Sequence, residues 1–200
     1  WQNNIQAINE FVSKENINKI ISNNIKEKNI GLLSIDIDGN DLWILKEIDT
    51  ISPDIIICEF NTVFGDIHKI VVPYDEEFNR DTKHYSKIYF GCSIKALIDI
   101  MSKKDYYFLG TSSTGINAFF VKSIHKTIFE KIIIQKDYFP SIVREGLNKE
   151  NELSFDNTSK NLEKIKDMEI VDLETNKIKS ISELGEIYSE NWKRELGESR

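Results

Sequence analysis

A strand, a helix and a second strand follow one another between residues 30 and 59, and this order constrains the fold more than any other feature of the chain. Residues 30–37 are β-branched and almost continuously apolar, which is typical of a strand buried on both faces. A short amphipathic helix over 41–51 and a second buried-type strand over 54–59 follow. Such a unit predicts two parallel strands joined by a right-handed crossover, and therefore an α/β fold.

Further elements are predicted on both sides of this unit, up to residue 122. A loosely alternating segment over 5–12 predicts another strand, and isoleucines at helical spacing predict a helix over 16–26. Ser93 offers an N-cap for a helix over 94–103. Two strands over 106–110 and 116–121 are separated by so short a connection that we expect an antiparallel hairpin.

The sequence changes character after residue 122. The predicted elements there are a helix over 124–135, an irregular polar stretch over 138–161, a small hairpin over 169–179 and a charged helix over 182–196. We therefore divide the chain into an α/β part over residues 1–122 and a small α+β extension, helical and hairpin-like, over 123–200.

Composition excludes several classes of function. The 200 residues carry a net charge of −7, which argues against a nucleic-acid partner because such binding needs a basic face. No apolar run reaches the roughly 18 residues of a membrane-spanning helix, so we expect no membrane partner. Cys58 and Cys92 are the only cysteines, which favours a reduced, cytoplasmic setting over a disulfide-built secreted fold.

Several segments between residues 5 and 122, taken in order, resemble those of one enzyme family. Ser34–Asp41 (SIDIDGND) resembles the I-D-V-E-G-x-E segment of FkbM-like methyltransferases, a group within the class I S-adenosylmethionine-dependent enzymes. The order and spacing of the pieces are more specific than any one of them. The other matching segments are IIICEFN (55–61), VPYD (72–75), YFGCS (89–93) and GINAFFV (115–121).

The resemblance implies a Rossmann-like class I methyltransferase sheet, which has the strand order 3-2-1-4-5-7-6 and an antiparallel strand 7. The strands of this chain then correspond to strand 3 (5–12), strand 4 (32–37), strand 5 (55–59), strand 6 (106–110) and strand 7 (116–121). Strands 1 and 2 have no counterpart, so the sheet is incomplete. The Gly-rich loop that holds the cofactor in the family has no counterpart either, because none of the nine glycines forms a GxGxG.

An incomplete sheet of this kind has a physical consequence. Without strand 1, the strand over 32–37 becomes an apolar edge with no neighbour on one side, which invites pairing with another chain. We therefore expect oligomer formation through this edge. The chain also opens with Trp1 and not with Met, and we interpret residues 1–122 as the C-terminal part of the methyltransferase domain of a longer parent protein.

The function that the resemblance implies is methyl transfer from S-adenosylmethionine, most simply to an oxygen of a small molecule or sugar. The alternative is a methyltransferase-like module that has lost catalysis and serves in binding or as a scaffold, since fold alone does not establish activity. Binding of S-adenosylmethionine distinguishes the two.

Acidic residues that follow the two central strands are the first candidates for the site, because ligands of open α/β sheets bind beyond the carboxyl ends of strands. Asp36 and Glu59 are predicted as catalytic, and with Asn61 they are the candidate ligands of a Mg²⁺ ion, a metal pairing similar to that of catechol-type O-methyltransferases. Asp36 lies between two isoleucines, where a buried carboxylate needs a reason. For Asp38, and for its neighbour Asp41, a turn with a helix cap is an equally good interpretation.

The long segment over 61–91 supplies the remaining candidates. His68 is predicted as a catalytic base, since a histidine can take the acceptor's proton near neutral pH, and the alternative is an exposed loop histidine. The residues predicted to bind the substrate are Asp38, Asn61, Tyr74, His84 and Tyr89. The same two interpretations stand for His84 as for His68, and the tyrosines either line a pocket or pack beneath the loop.

Overall fold

The computed structural model describes residues 5–131, 139–141 and 144–197 of the chain, which form a mixed α/β fold with two sheets. The strands are β1 (Asn29–Ile35), β2 (Ser52–Glu59), β3 (Ile70–Val71), β4 (Tyr106–Thr111), β5 (Asn117–Lys122), β6 (Glu169–Asp172) and β7 (Lys177–Ser180). The helices are α1 (Ile17–Asn24), α2 (Asp41–Glu47), α3 (Arg80–Lys83), α4 (Ile94–Lys103), α5 (Lys126–Glu130), α6 (Thr158–Ile165) and α7 (Glu190–Glu195). Three short 3₁₀ turns lie at Thr62–Phe64, Ser123–His125 and Ile181–Leu184.

The larger sheet has four strands in the order β1-β2-β5-β4. β1 and β2 run parallel and are joined through α2, as the strand-helix-strand pattern predicts. β5 is antiparallel to both β2 and β4, and β4 with β5 forms the predicted antiparallel hairpin. Ser93 caps α4 as expected, since its side chain accepts a hydrogen bond from the Ala96 N–H.

β1 forms one edge of this sheet, and in the described part of the chain it pairs with β2 alone. The sequence predicted a strand buried on both faces, and this is wrong, because only Ile35 of β1 is buried. Leu32 remains 52% exposed. The edge position itself agrees with the expectation of an apolar strand that has no neighbour on one side.

The strand predicted over residues 5–12 is wrong. The described residues of this segment have no regular secondary structure, and Ile5, Ile8 and Phe11 are exposed. A strand needs a neighbour that completes its hydrogen-bond ladder, and within the described ranges no strand provides one for this segment. The counterpart of family strand 3 is therefore not formed here.

The smaller sheet joins the long segment over 61–91 to the C-terminal part of the chain. β3, within that segment, pairs antiparallel with β6, and β6 and β7 form the hairpin predicted over 169–179. The charged helix predicted over 182–196 is shorter than expected: a 3₁₀ turn ends at Leu184 and α7 begins only at Glu190. Gly185, with a φ of 74°, follows Leu184 and ends the 3₁₀ turn.

Two more C-terminal predictions need correction. α6 begins within the stretch predicted as irregular (138–161) and continues beyond it, and it is capped by the Asn157 side chain, which accepts from the Lys160 N–H. Only Leu162 and Ile165 of its eight residues are apolar, too few to indicate a helix from the sequence. The helix predicted over 124–135 is a 3₁₀ turn followed by α5, and residues 132–135 of that prediction lie outside the described residues.

One hydrophobic core includes side chains from both sides of residue 122. Leu42, Leu97 and Phe120 are fully buried, and Ile165 and Trp192 belong to the same cluster. The core and the β3–β6 ladder thus both bring the C-terminal part against the α/β part. None of the helices in the described residues is long and apolar enough to cross a membrane.

Candidate functional site

The carboxyl ends of β1 and β2 bring three carboxylates together. Because these strands are parallel and Ile35 lies opposite Cys58, the next residues along each strand, Asp36 and Glu59, are neighbours. One oxygen each of Asp36, Asp38 and Glu59 lies within 4.8 Å of the others. We call these three residues the acidic group, and it lies where the sequence predicted a site.

The turn that carries Asp36 and Asp38 is held by a fourth carboxylate, Asp41. Its two oxygens accept hydrogen bonds of 2.9 Å from the N–H groups of Ile37 and Gly39. Asp38 takes a positive φ of 57° at the tip of this turn. Burial raises the pKa of Asp41, and its two backbone hydrogen bonds oppose that rise. Asp41 therefore has the turn-forming role that the sequence left open.

Glu59 is the buried carboxyl group of the acidic group. The residue is 9% exposed, and its Oε2 is buried without a hydrogen-bond partner among the described residues. Burial raises the pKa of Glu59 to about 8, and the charges of Asp36 and Asp41 add to that rise. The neighbouring Arg80 acts in the opposite direction. A carboxyl group with such a pKa can accept or release a proton near neutral pH.

Asp36 was predicted to be a buried carboxylate within a strand, and this is wrong. β1 ends at Ile35, so Asp36 is exposed and is not a carboxylate buried inside a strand. Asp38 is also exposed, and its Oδ1 accepts a hydrogen bond of 3.1 Å from Arg80 Nη1. The acidic group therefore consists of one buried carboxyl group and two that face solvent.

Arg80 and Glu145 are site residues that the sequence analysis missed. Arg80 donates through Nη2 to Glu145 Oε1 at 2.5 Å and through Nε to the carbonyl oxygen of Lys87 at 2.6 Å. Its guanidinium carbon lies 3.8 Å from the centre of the Phe90 ring. Arg80 is one of only four arginines in a lysine-rich chain, and that scarcity is the signal that marks it. Glu145 has no comparable signal in the sequence.

Two cavities adjoin this cluster. An outer cleft of about 540 Å³ is lined by Asp38, Phe78, Asn79, Arg80, Asp81, Lys87, Glu145 and Leu147. An inner cavity of about 40 Å³ is lined by residues that include Glu59, Asn61, Phe90, Ser141, Glu145 and Asn161. Glu145 lines both cavities. The outer cleft has room for a small organic molecule, whereas the inner cavity has room for water only.

Asn61 supports the site through its backbone contacts. Its side-chain amide donates to the carbonyl oxygens of Ile88 and Phe90 at 2.8 and 2.9 Å, and its Oδ1 accepts from the Val63 N–H at 3.0 Å. Both donors and the oxygen are therefore engaged in holding the segment over 61–91. The sequence predicted Asn61 as the third cation ligand beside Asp36 and Glu59. In the structure, Asp38 is the third residue of this cluster.

The two loop histidines have contacts other than the acidic group. His68 Nε2 lies 2.8 Å from the carbonyl oxygen of Glu186, in the C-terminal part of the chain. His84 Nδ1 lies 2.7 Å from Ser86 Oγ, and its ring lies 4.4 Å from that of Tyr85, centre to centre. Burial lowers the pKa of His84, and Lys164 adds to this effect. None of these contacts brings either ring to Asp36, Asp38 or Glu59.

Tyr74 and Tyr89 line a separate pocket of about 280 Å³, together with Phe78. The Tyr74 hydroxyl donates to Glu15 at 2.6 Å, and the hydroxyl of the buried Tyr89 donates to the carbonyl oxygen of Glu169. Burial raises the pKa of Tyr89 well above its ordinary value. Phe78 lines both this pocket and the outer cleft, so the two cavities share one wall.

The donor set of the acidic group fits a hard divalent cation such as Mg²⁺. Three carboxylates within 4.8 Å of one another supply only oxygen atoms, and one oxygen of Glu59 is buried without a partner. S-adenosylmethionine is a different case. The chain has no GxGxG, and we identify no residues for this methyl donor among those that the structure describes. No protein-family model matches the chain, and neither a curated protein nor a solved structure matches it.

Proposed function

We propose that the acidic group is the acceptor side of a site for methyl transfer from S-adenosylmethionine to an oxygen of a small molecule or sugar. The single observation that carries this proposal is Glu59, a buried carboxyl with a pKa of about 8 and an unpartnered oxygen at the end of a parallel strand. Methyl transfer to a hydroxyl is an in-line displacement in which the acceptor loses a proton. Glu59 is the group suited to take that proton.

The topology supports the finer assignment of the fold to a Rossmann-like methyltransferase sheet. If β1 and β2 correspond to family strands 4 and 5, and β4 and β5 to strands 6 and 7, the observed order β1-β2-β5-β4 is the family order 4-5-7-6. The antiparallel direction of β5 also agrees with the antiparallel strand 7 of that family.

Mg²⁺ would be held by Asp36, Asp38 and Glu59 in this proposal. Bound there, the cation would polarise the acceptor hydroxyl and ease loss of its proton. The chain's own residues act without the cation. The outer cleft orients the acceptor, and Arg80 donates a hydrogen bond that holds Asp38 in place in the lining of this cleft. Among the loop residues, His68 remains a prediction as a catalytic base, and Tyr74, His84 and Tyr89 remain predictions as contacts of the acceptor.

The experiment is a titration followed by an activity assay. S-adenosylmethionine and Mg²⁺ are titrated calorimetrically into this chain and into the complete product of its gene, and transfer of a labelled methyl group is then measured over a panel of hydroxylated acceptors. Glu59→Gln and Asp36→Asn should each lower turnover by about tenfold or more, with S-adenosylmethionine binding unchanged. Glu76→Gln, an exposed carboxylate of the same long segment, is the matched control. Wild-type turnover by Glu59→Gln would refute the assignment of the base.

A binding or scaffold role is the second candidate, and one observation favours it. β1 leaves an open sheet edge with the exposed Leu32, which is suited to pairing with another strand. If neither this chain nor the complete gene product binds S-adenosylmethionine, the enzymatic proposal fails and this candidate stands.

A further inference from the structure

A short segment from the C-terminal part of the chain lies across the candidate site. We call residues 144–147 the strap. The Leu147 N–H donates to the carbonyl oxygen of Ser86 at 3.1 Å, and the Ser154 N–H donates to that of Gly146 at 2.8 Å. A Cβ placed on Gly146 would lie 2.6 Å from Asn161 Oδ1. The backbone on one side of Glu145 is therefore fixed against both the long segment and α6.

Glu145 stands at the border between the two cavities. It is the strap residue that lines the outer cleft and the inner cavity alike, and Glu59 lines the inner one. The inner cavity, at about 40 Å³, holds water but no acceptor molecule. The ion pair of Glu145 with Arg80 therefore lies where the outer cleft adjoins the inner cavity that Glu59 lines.

The two partners of this ion pair are held very differently. Arg80 is 17% exposed, donates to Lys87 and Asp38 as well, and lies over the Phe90 ring. The Glu145 side chain is 48% exposed, and Arg80 is its only ion-pair partner in the described part of the chain. An exposed ion pair is weak and is screened by salt. Without this pair, Arg80 keeps its contacts to Lys87, Asp38 and Phe90, whereas the described part of the chain offers Glu145 no other ion pair.

We propose that the Arg80–Glu145 ion pair is a gate that controls access from the outer cleft to Glu59. Arg80 keeps its position in this gate, and the Glu145 side chain moves. This inference concerns access to the same site and rests on the proposed function for its biological meaning. Its geometry is independent of the reaction. The C-terminal extension thereby acquires a role, since it supplies the moving half of the gate.

Chemical labelling of Glu59 tests the gate without any methyl donor. Dicyclohexylcarbodiimide adds to a protonated carboxyl group, first as an O-acylisourea that rearranges to a stable N-acylurea of the same mass. The full chain is treated at pH 6 without divalent cations, and peptide mass spectrometry gives the labelling rate of Glu59 relative to the exposed Glu76. Dividing by the rate of Glu76 corrects for any effect of salt or reagent that changes the labelling of all carboxyl groups alike.

Loss of the gate should raise this ratio. We expect Glu145→Ala to raise it by about fivefold, the order of effect of losing one partly exposed ion pair. Glu150→Gln, an exposed carboxylate beyond the strap, should leave it unchanged. High salt should raise the ratio in the wild-type chain and leave Glu145→Ala unaffected.

Two results would overturn the gate. One is a Glu145→Ala ratio equal to that of the wild type, and the other is a wild-type ratio that does not respond to salt. A thermal melt of each variant shows whether it is folded, and the salt response needs no variant. A chain that fails as a methyltransferase can still pass this test, so the two proposals fail separately.

Discussion

Gly39 and Phe78 are in such close contact that no side chain fits between them. A Cβ built on Gly39 would lie 2.2 Å from Cδ1 and 2.3 Å from Cε1 of the Phe78 ring. Gly39 belongs to the turn that presents Asp36 and Asp38, whereas Phe78 is a wall of the outer cleft. This contact therefore sets the position of the cleft wall relative to the acidic group.

Gly39→Ala should destabilise the chain by about 1–3 kcal/mol, because the added methyl group displaces the Phe78 ring or the turn. Gly31→Ala is the matched control, since a Cβ there meets nothing within 4 Å. Urea unfolding of both variants measures the difference. Equal stability of the two would show that Phe78 moves aside freely, and the cleft wall would then not depend on Gly39.

Asn61→Asp distinguishes a supporting residue from a cation ligand. The substitution turns an oxygen toward the carbonyl oxygens of Ile88 and Phe90, to which the amide now donates. We expect a loss of about 1–3 kcal/mol in the free energy of unfolding, as for other buried polar groups left without partners. Asn191→Asp, at an exposed asparagine of α7, is the control. Retained stability with tighter Mg²⁺ binding would instead make Asn61 a ligand.

Glu59 should make the chain less stable as the pH rises. Its pKa is about 8 in the folded chain and 4.5 ordinarily, so between these values the folded state binds more protons than the unfolded state. Stability then falls with pH, by up to about 1.4 kcal/mol per pH unit. Glu59→Gln removes this dependence on pH. The free energy of unfolding of the variant, measured relative to that of the wild type, should therefore increase from pH 5 to pH 8.

Unfolding curves of the wild type and of Glu59→Gln at several pH values measure this effect. The raised pKa of Asp41 acts in the same direction in both proteins, so the difference between them reports Glu59 together with its coupling to Asp41. Glu76→Gln serves as the control for the loss of one charge from the surface. Parallel pH profiles of wild type and Glu59→Gln would contradict the buried, protonated state of this residue.

Leu32→Lys should weaken self-association through the open edge of β1. Leu32 is 52% exposed, and a lysine on an edge strand opposes pairing with another strand. Ser34→Lys adds the same charge two residues along the same face and leaves the apolar contact of Leu32 intact. Sedimentation velocity over a range of concentrations measures association. If the two variants associate alike, the apolar side chain of Leu32 has no part in it.

The sequence was sufficient to predict the elements whose signals are local. The crossover unit, the helix after Ser93 and both hairpins follow from apolar periodicity, a cap and short connections, and all are present. The meeting of Asp36 with Glu59 follows from the parallel pairing alone.

The failures concern properties that depend on neighbours distant in sequence. Residues 5–12 have the alternation of a strand but lack a partner, and β1 has the apolar run of a strand buried on both faces although only Ile35 is buried. The link between Arg80 and Glu145 spans 65 residues, and no periodicity can show a contact of that kind. The same applies to Asn61, whose role depends on the carbonyl groups that fold back onto it.

The C-terminal residues that close the core have a consequence for synthesis on the ribosome. Trp192 is 1% exposed, the Tyr188 hydroxyl donates to the carbonyl oxygen of Val63, and Ser189 donates to Asp66. The contacts of Val63 and Asp66 thus wait for residues made more than a hundred positions later. Until the ribosome has made residues 188–192, the nascent chain must carry the surface that Trp192 covers exposed to solvent, and incomplete chains of this kind are prone to aggregate.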